Sequence, residues 1–399
     1  MKLPFAIEAL VVLLMTSSTC LAVGADAEWN TRMRAMAAAV TCLAPFVASD
    51  EKFNDLKNHL QINSCVDDLA IQTQALKAAL TKHATAGSAA AFYQEDPLLP
   101  FVAASFAEDV ETAKALVNST SSAYAQHLLR GTLTYCTGCH TRGADTATFK
   151  FPVFQDMTKD LALPDRMKLL ASTRNFEQSL RVFDEAINSG QAELMGSLEV
   201  ERSARLALSI AVRVENDGGA GLKLIDQIAK LKNISPAFKI EIETWRTSLT
   251  ELAKSEPKVL TANTKQTSKL EAAQKLIAKA KATRSQTQTR IPEIDYLRAT
   301  ALLHSFLGTK PSAKDSAEAL FLLGDSYENL ETLGFWSTSE IYYEACVRKF
   351  PHSEVARRCY ASYKDSISIG YSGSAGTFIP MNVQTNLREL ETLGKALKK

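Results

Sequence analysis

The 399-residue sequence carries almost no surplus charge: 45 Lys and Arg against 44 Asp and Glu leave a formal net charge of +1 and a pI near 7.6. Such a balance argues against a nucleic-acid binder or a protein built for a strongly polyanionic partner. Glycine (17) and proline (12) are scarce, and no convincing run alternates apolar and polar residues with a period of two, so a sheet has no support. The histidines contain no pair at metal-ligand spacing. Gly370-Tyr371-Ser372-Gly373-Ser374-Ala375-Gly376 imitates a phosphate-cradling loop, but it lacks the Gly-Lys-Ser/Thr ending and a preceding strand, and reads as a surface loop. What remains is 46% hydrophobic and follows a 3.6-residue period nearly everywhere, in a chain long enough for two cores. These features predict an all-α protein of two domains.

Against this bland background stands Cys136-Thr137-Gly138-Cys139-His140. Two thiols three residues apart on a helix lie about 300° of rotation apart and so share a face. Both can add to the two vinyl groups of a haem, with His140 following as the proximal iron ligand. A chance C-x-x-C-H in a chain of this length is expected on the order of a few times in a thousand. The competing reading is a plain Cys136–Cys139 disulfide, which leaves His140 with no special role.

Thioether attachment of haem takes place on the exported side of a bacterial membrane, and the first residues fit that requirement. Lys2, an apolar run from Ala9 to Met15 and Ala25-Asp26-Ala27 before Glu28 read as a secretory leader over residues 1–27. The apolar run is too short and too poorly flanked for a convincing spanning helix, with an uncleaved anchor as the alternative. Ser18-Thr19-Cys20 makes a poor lipid-attachment box, so Cys20 is assigned to the leader. The expected location is the periplasm of a Gram-negative bacterium. Four cysteines then remain, an even number for an oxidising compartment. Cys346 and Cys359 flank the turn at Phe350-Pro351-His352 at similar heights and are expected to bridge, leaving Cys42 and Cys65 to pair by elimination. Reduced core cysteines are the alternative.

Along the chain, a first helix is expected from Trp29 to Val47, with Met33, Met36, Val40 and Leu43 on one stripe. A second helical region covers Glu51 to His83, with a break near Asn63-Ser64. A third runs from Phe101 to Val117 after the punctuation of Pro97 and Pro100. A fourth, capped by Asn118, Ser119 or Thr120, ends in the haem motif. These four helices predict a bundle over residues 28–145. A crossover over residues 146–170 follows, and residues 171–399 read as tetratricopeptide-like helical repeats forming an α-solenoid. Leu320-x2-Leu323-Gly324-x2-Tyr327, Tyr342, Ala345 and Phe350-Pro351 fit that pattern, and Ala356, Cys359, Tyr360 and Tyr363 repeat it about one repeat length later. Ala171 to Leu180 resembles the turn and second helix of another repeat. Thr261 to Arg290 holds seven cations against the single acid Glu271. They read as a solvated helix face, or alternatively as a docking surface for an acidic redox partner.

A four-helix segment with its haem motif at the end of the fourth helix resembles the class II c-type cytochromes, the cytochrome c-prime and c-556 group. The resemblance covers Glu28 to Arg142, and the repeats lie outside it. It implies one covalent haem c held by Cys136, Cys139 and His140. The family's early Arg-x3-Met pattern is matched by Arg32 and Met36, making Met36 the implied sixth ligand. Met33 and Met157 are the other thioethers available, and an open iron able to bind NO, CO or peroxide is the alternative. His127, about 220° around the helix from His140, points elsewhere, while His59, His83, His304 and His352 are scattered. The leading expectation is a periplasmic monohaem electron-transfer protein, not an enzyme, whose repeats hold a redox partner protein. It has no nucleic-acid partner, and membrane association is possible but not predicted. A haem-based redox or gas sensor is the second reading, and a peroxidase-like enzyme the third, without a visible distal His or Arg constellation.

Overall fold

The computed structural model describes residues 27–81, 96–143, 151–153, 157–254, 266–287, 292–330, 338–374 and 376–395. Residues 1–26 of the expected leader, His83, Phe149, Phe154, Lys265 and Arg290 lie outside the described residues. The fold is all-α, and among the described residues the only strands are Ser372–Gly373 and Gly376–Thr377, a two-rung antiparallel bridge. They belong to the glycine-rich segment, a small exposed hairpin. The chain divides into two compact units. One comprises residues 1–136, 147–161 and 172–175, the other residues 137–146, 162–171 and 176–399.

In the first unit α1 covers 27–47 and buries Met36, Val40, Leu43 and Val47, a stripe with helical spacing. A short α2, Asp50–Asn54, begins where the Ser49 hydroxyl accepts the Lys52 N–H. The helical region breaks at Asp55 and not at Asn63-Ser64. Asp55 is extended, and its carboxylate accepts the Lys57 N–H to start a new turn. Asn63 and Ser64 instead lie inside an unbroken α3, His59–Thr81, because the Asn63 side chain bonds Asn118 across the unit and does not compete with its own backbone.

Helix α4, Leu98–Leu116, starts three residues earlier than the prolines suggested. Pro97 caps it and Pro100 sits in its first turn, where a missing N–H costs nothing, while the Asp96 carboxylate accepts the Leu98 N–H. Helix α5, Ser122–His140, contributes residues 122–136 to the first unit and 137–140 to the second. The Cys42–Cys65 disulfide, with Cα atoms 6.1 Å apart, ties α1 to α3. Helices α3 and α4 pack side by side. Gln126 on α5 donates to the Val47 carbonyl at 3.1 Å and to Asp50 at 3.0 Å, closing α5 onto the end of α1.

The second unit is a succession of helices: α6 Leu163–Ser172, α7 Phe176–Asn188, α8 Ser197–Ser209, α9 Gly218–Ile228, α10 Pro236–Lys254, α11 Gln266–Thr287, α12 Glu293–Leu307, α13 Ala313–Glu328, α14 Thr338–Lys349, α15 Glu354–Gly370 and α16 Met381–Gly394. Neighbours in sequence are neighbours in space: α9 with α10, α11 with α12, and α13 through α16 in order. Residues 331–337, between α13 and α14, lie outside the described residues. The turn between α14 and α15 contains Pro351, with Ser353 capping α15 through the Ala356 N–H. Cys346 and Cys359 form a disulfide across this hairpin with Cα atoms 6.2 Å apart.

The interior of this unit is partly polar. Arg205 on α8 forks to Glu293 on α12 and Glu241 on α10, and its guanidinium lies over Phe238 and Trp245 at 5.5 and 5.2 Å. Buried Arg213, in a π-helical turn at Ile210–Val214, donates to the Tyr327 hydroxyl at 2.9 Å. That hydroxyl also bonds His304 Nε2 at 2.8 Å, and the Tyr327 ring stacks on Tyr342. Hydrogen bonds to charged groups of this kind each contribute ~1.5–3 kcal/mol net.

Candidate cofactor-attachment site

Helix α5 carries the whole Cys136–His140 motif in its last turns. Its buried face is Ala125, Leu129, Thr132 and Leu133, the stripe that seats the helix in its unit, whereas Cys136, Cys139 and His140 are half-buried. By helical spacing Cys136 and His140 share one stripe, and Cys139 shares the next with Tyr135. The carbonyls at the helix end are occupied by the residues that follow. Thr137 O accepts both the N–H and the hydroxyl of Thr141, and the Nε of Arg142 donates to Gly138 O at 3.3 Å. Arg142 was not singled out by its sequence, although a basic residue just past a helix C-terminus is the signal for this contact.

The two disulfides use Cys42, Cys65, Cys346 and Cys359, so Cys136 and Cys139 belong to neither, and they are not bridged to each other. A Cβ added at Gly138, between them, would meet nothing within 4 Å. Two half-buried thiols on one helical face, open space between them and an imidazole next in sequence form a donor set that suits a covalently attached haem. Among the described residues no group of three or more His, Cys, Asp or Glu could hold a bare metal ion.

One turn before Cys139, Tyr135 fixes the helix laterally. Its hydroxyl donates to the Asp109 carboxylate on α4 at 2.5 Å, and its ring stacks on buried Phe106 with centroids 5.3 Å apart. Burial, then this hydrogen bond, push the phenol well above its usual pKa. Sequence spacing could not find this pair because its members are 26 residues apart.

The other candidate residues are spread out. Met36 is 7% exposed on α1, Met33 is half-buried one turn earlier, and Met157 is 42% exposed. His127 is exposed on α5 and stacks on Tyr124. His304 is a hydrogen-bonded core residue, and His352 bonds the Lys395 carbonyl. The cation-rich segment forms α11, and several of its charges turn toward neighbouring helices. Lys279 pairs with Glu251 and Asp295, Lys281 with Asp325, and Lys269 donates to Ser305, while Arg284 donates to Asn329. No helix among the described residues is long and apolar enough to cross a membrane. The chain matches no protein-family model, no curated protein and no solved structure.

Proposed function

We propose that the protein is an exported, periplasmic monohaem c-type cytochrome that transfers single electrons and is not an enzyme. The observation that carries this reading is the pair of half-buried thiols of Cys136 and Cys139, outside both disulfides, on the helical turns that end in His140. In this reading α1, α3, α4 and α5 form a class II-like four-helix bundle, and the helices from residue 171 onward form a tetratricopeptide-like solenoid that holds a redox partner protein. The links α1–α3 through Cys42–Cys65, α3–α4 by packing, α4–α5 through Tyr135 and α5–α1 through Gln126 support the bundle. The serial hairpin packing of the later helices supports the solenoid. Two disulfides suit an oxidising compartment.

Haem c, when bound, supplies an iron that cycles between two oxidation states without covalent chemistry from the protein. The chain's own work is to hold it. Cys136 and Cys139 would anchor the ring edge through thioethers and so keep it from dissociating. His140 would supply an imidazole nitrogen to the iron, on a helix end held in place by Thr141 and Arg142. Met36 is the proposed sixth ligand; a thioether there would favour the reduced state and would close the iron to small ligands. The test is the visible spectrum of the protein matured in a cytochrome c-competent host, oxidised and reduced, with and without CO. Sharp reduced bands indifferent to CO, lost in Met36→Ala, support electron transfer with His/Met ligation. A high-spin spectrum that shifts with CO moves the assignment to a gas or redox sensor with an open sixth position.

A further inference from the structure

Resting on the haem reading above, we propose that the Tyr135–Asp109 pair tunes the cofactor: Tyr135 pins the Asp109 carboxylate as a fixed negative charge beside the attachment turn, which holds the reduction potential down. Tyr135 is the immediate neighbour of Cys136 and lies four residues before Cys139, about 6 Å along the same stripe. Its hydroxyl reaches Asp109 on α4, and stacking on Phe106 at 5.3 Å with an interplanar angle of 19° leaves the ring one orientation. Phe106 and Asp109 are three apart on α4, so one helical face supplies both the ring platform and the acceptor. Asp109 is half-buried, whereas Glu108, the other acid acting on Tyr135, is exposed and screened by solvent.

The sign follows from charge. Oxidised haem carries one more positive charge than reduced haem, and a nearby carboxylate stabilises the oxidised form. Removing the carboxylate therefore makes reduction easier. Tyr135 and Asp109 are positioning and electrostatic residues in this scheme, and neither is a ligand.

The experiment is a redox titration of the haem-loaded full-length protein and of Asp109→Asn, Tyr135→Phe and the double variant, with haem content and urea stability measured in parallel. Asp109→Asn is expected to raise the potential by enough to change the oxidised-to-reduced ratio about tenfold at fixed ambient potential, which is ~59 mV for one electron. Tyr135→Phe keeps the ring on Phe106 and frees the carboxylate, so it raises the potential by a smaller step. The double variant is expected to match Asp109→Asn alone, because Tyr135 acts only through that charge. Unchanged potentials in haem-loaded, folded variants overturn the proposal, as do additive shifts in the double variant. Wild-type protein that carries no haem at all overturns the functional reading instead. If the variants lose stability or haem without moving the potential, the pair is a structural tie and the proposal fails.

Discussion

Gly324 offers a sharp test of how the later helices pack, because two opposed effects of known size meet there. It occupies the glycine position of the repeat pattern on α13, and a Cβ built on it overlaps three ring carbons of Tyr343 on α14. Tyr343 is 1% exposed and its hydroxyl donates to Glu328 at 3.0 Å, so the ring cannot move aside without losing a bond. Replacing glycine by alanine inside a helix gains roughly 0.5–1 kcal/mol of backbone entropy. Overpacking a closed interface costs ~1–3 kcal/mol. The steric cost wins, and Gly324→Ala should destabilise the protein by about 1–2 kcal/mol in urea unfolding followed by far-UV circular dichroism. In a Tyr343→Leu background, where the clashing ring carbons are absent, the same substitution should change sign and stabilise by up to ~1 kcal/mol. A stabilising Gly324→Ala in the parent protein would refute the close approach of α13 and α14.

Gly131 should behave oppositely: it is exposed inside α5 with nothing within 4 Å of an added Cβ, so Gly131→Ala should stabilise by ~0.5–1 kcal/mol in the same assay. Alkylation of the unfolded, unreduced protein should label none of Cys42, Cys65, Cys346 and Cys359. Deleting the Cys346–Cys359 bridge, whose partners are 13 residues apart in sequence, should cost up to ~3 kcal/mol. Tyr363 is pushed up to about 12 from 10.0, by burial first and then by Glu344, and burial raises Tyr135, Tyr296 and Tyr343 as well. A raised folded-state pKa contributes stability present below pH 10 that is lost as pH climbs through the folded value. Unfolding free energy should therefore be flat toward pH 10 and fall steeply between pH 10 and 12, and a flat profile across that interval would contradict the burial of these phenols.

Helix content was legible because amphipathic periodicity is local, and both cysteine pairs followed from counting and from the turn at Pro351. The break at Asp55 was misplaced because Asn63 and Ser64 look like helix breakers until Asn63 is seen bonding Asn118, a partner 55 residues away. Pro97 and Pro100 were read as preceding α4 because sequence does not show which N–H groups a helix needs; in the first turn it needs none. The cations of α11 looked like a solvated face or docking surface, yet Lys279 and Lys281 find carboxylates on other helices. Arg213, Tyr327 and His304 assemble from positions up to 114 residues apart, and composition does not reveal which arginine is buried. At the candidate site the thiols and imidazole were legible from their spacing alone, while Tyr135 and Asp109 emerge only when α4 lies against α5.

The central claim is that Cys136 and Cys139 carry a covalent haem. Its most direct test is the intact mass of the protein exported in a cytochrome c-maturing host, denatured and treated with a thiol-alkylating reagent but not reduced. One haem added to the polypeptide, with no label on either cysteine and no adduct in Cys136→Ala/Cys139→Ala, is the predicted result. A polypeptide without haem, whose Cys136 and Cys139 are alkylated or joined to each other, would contradict the account.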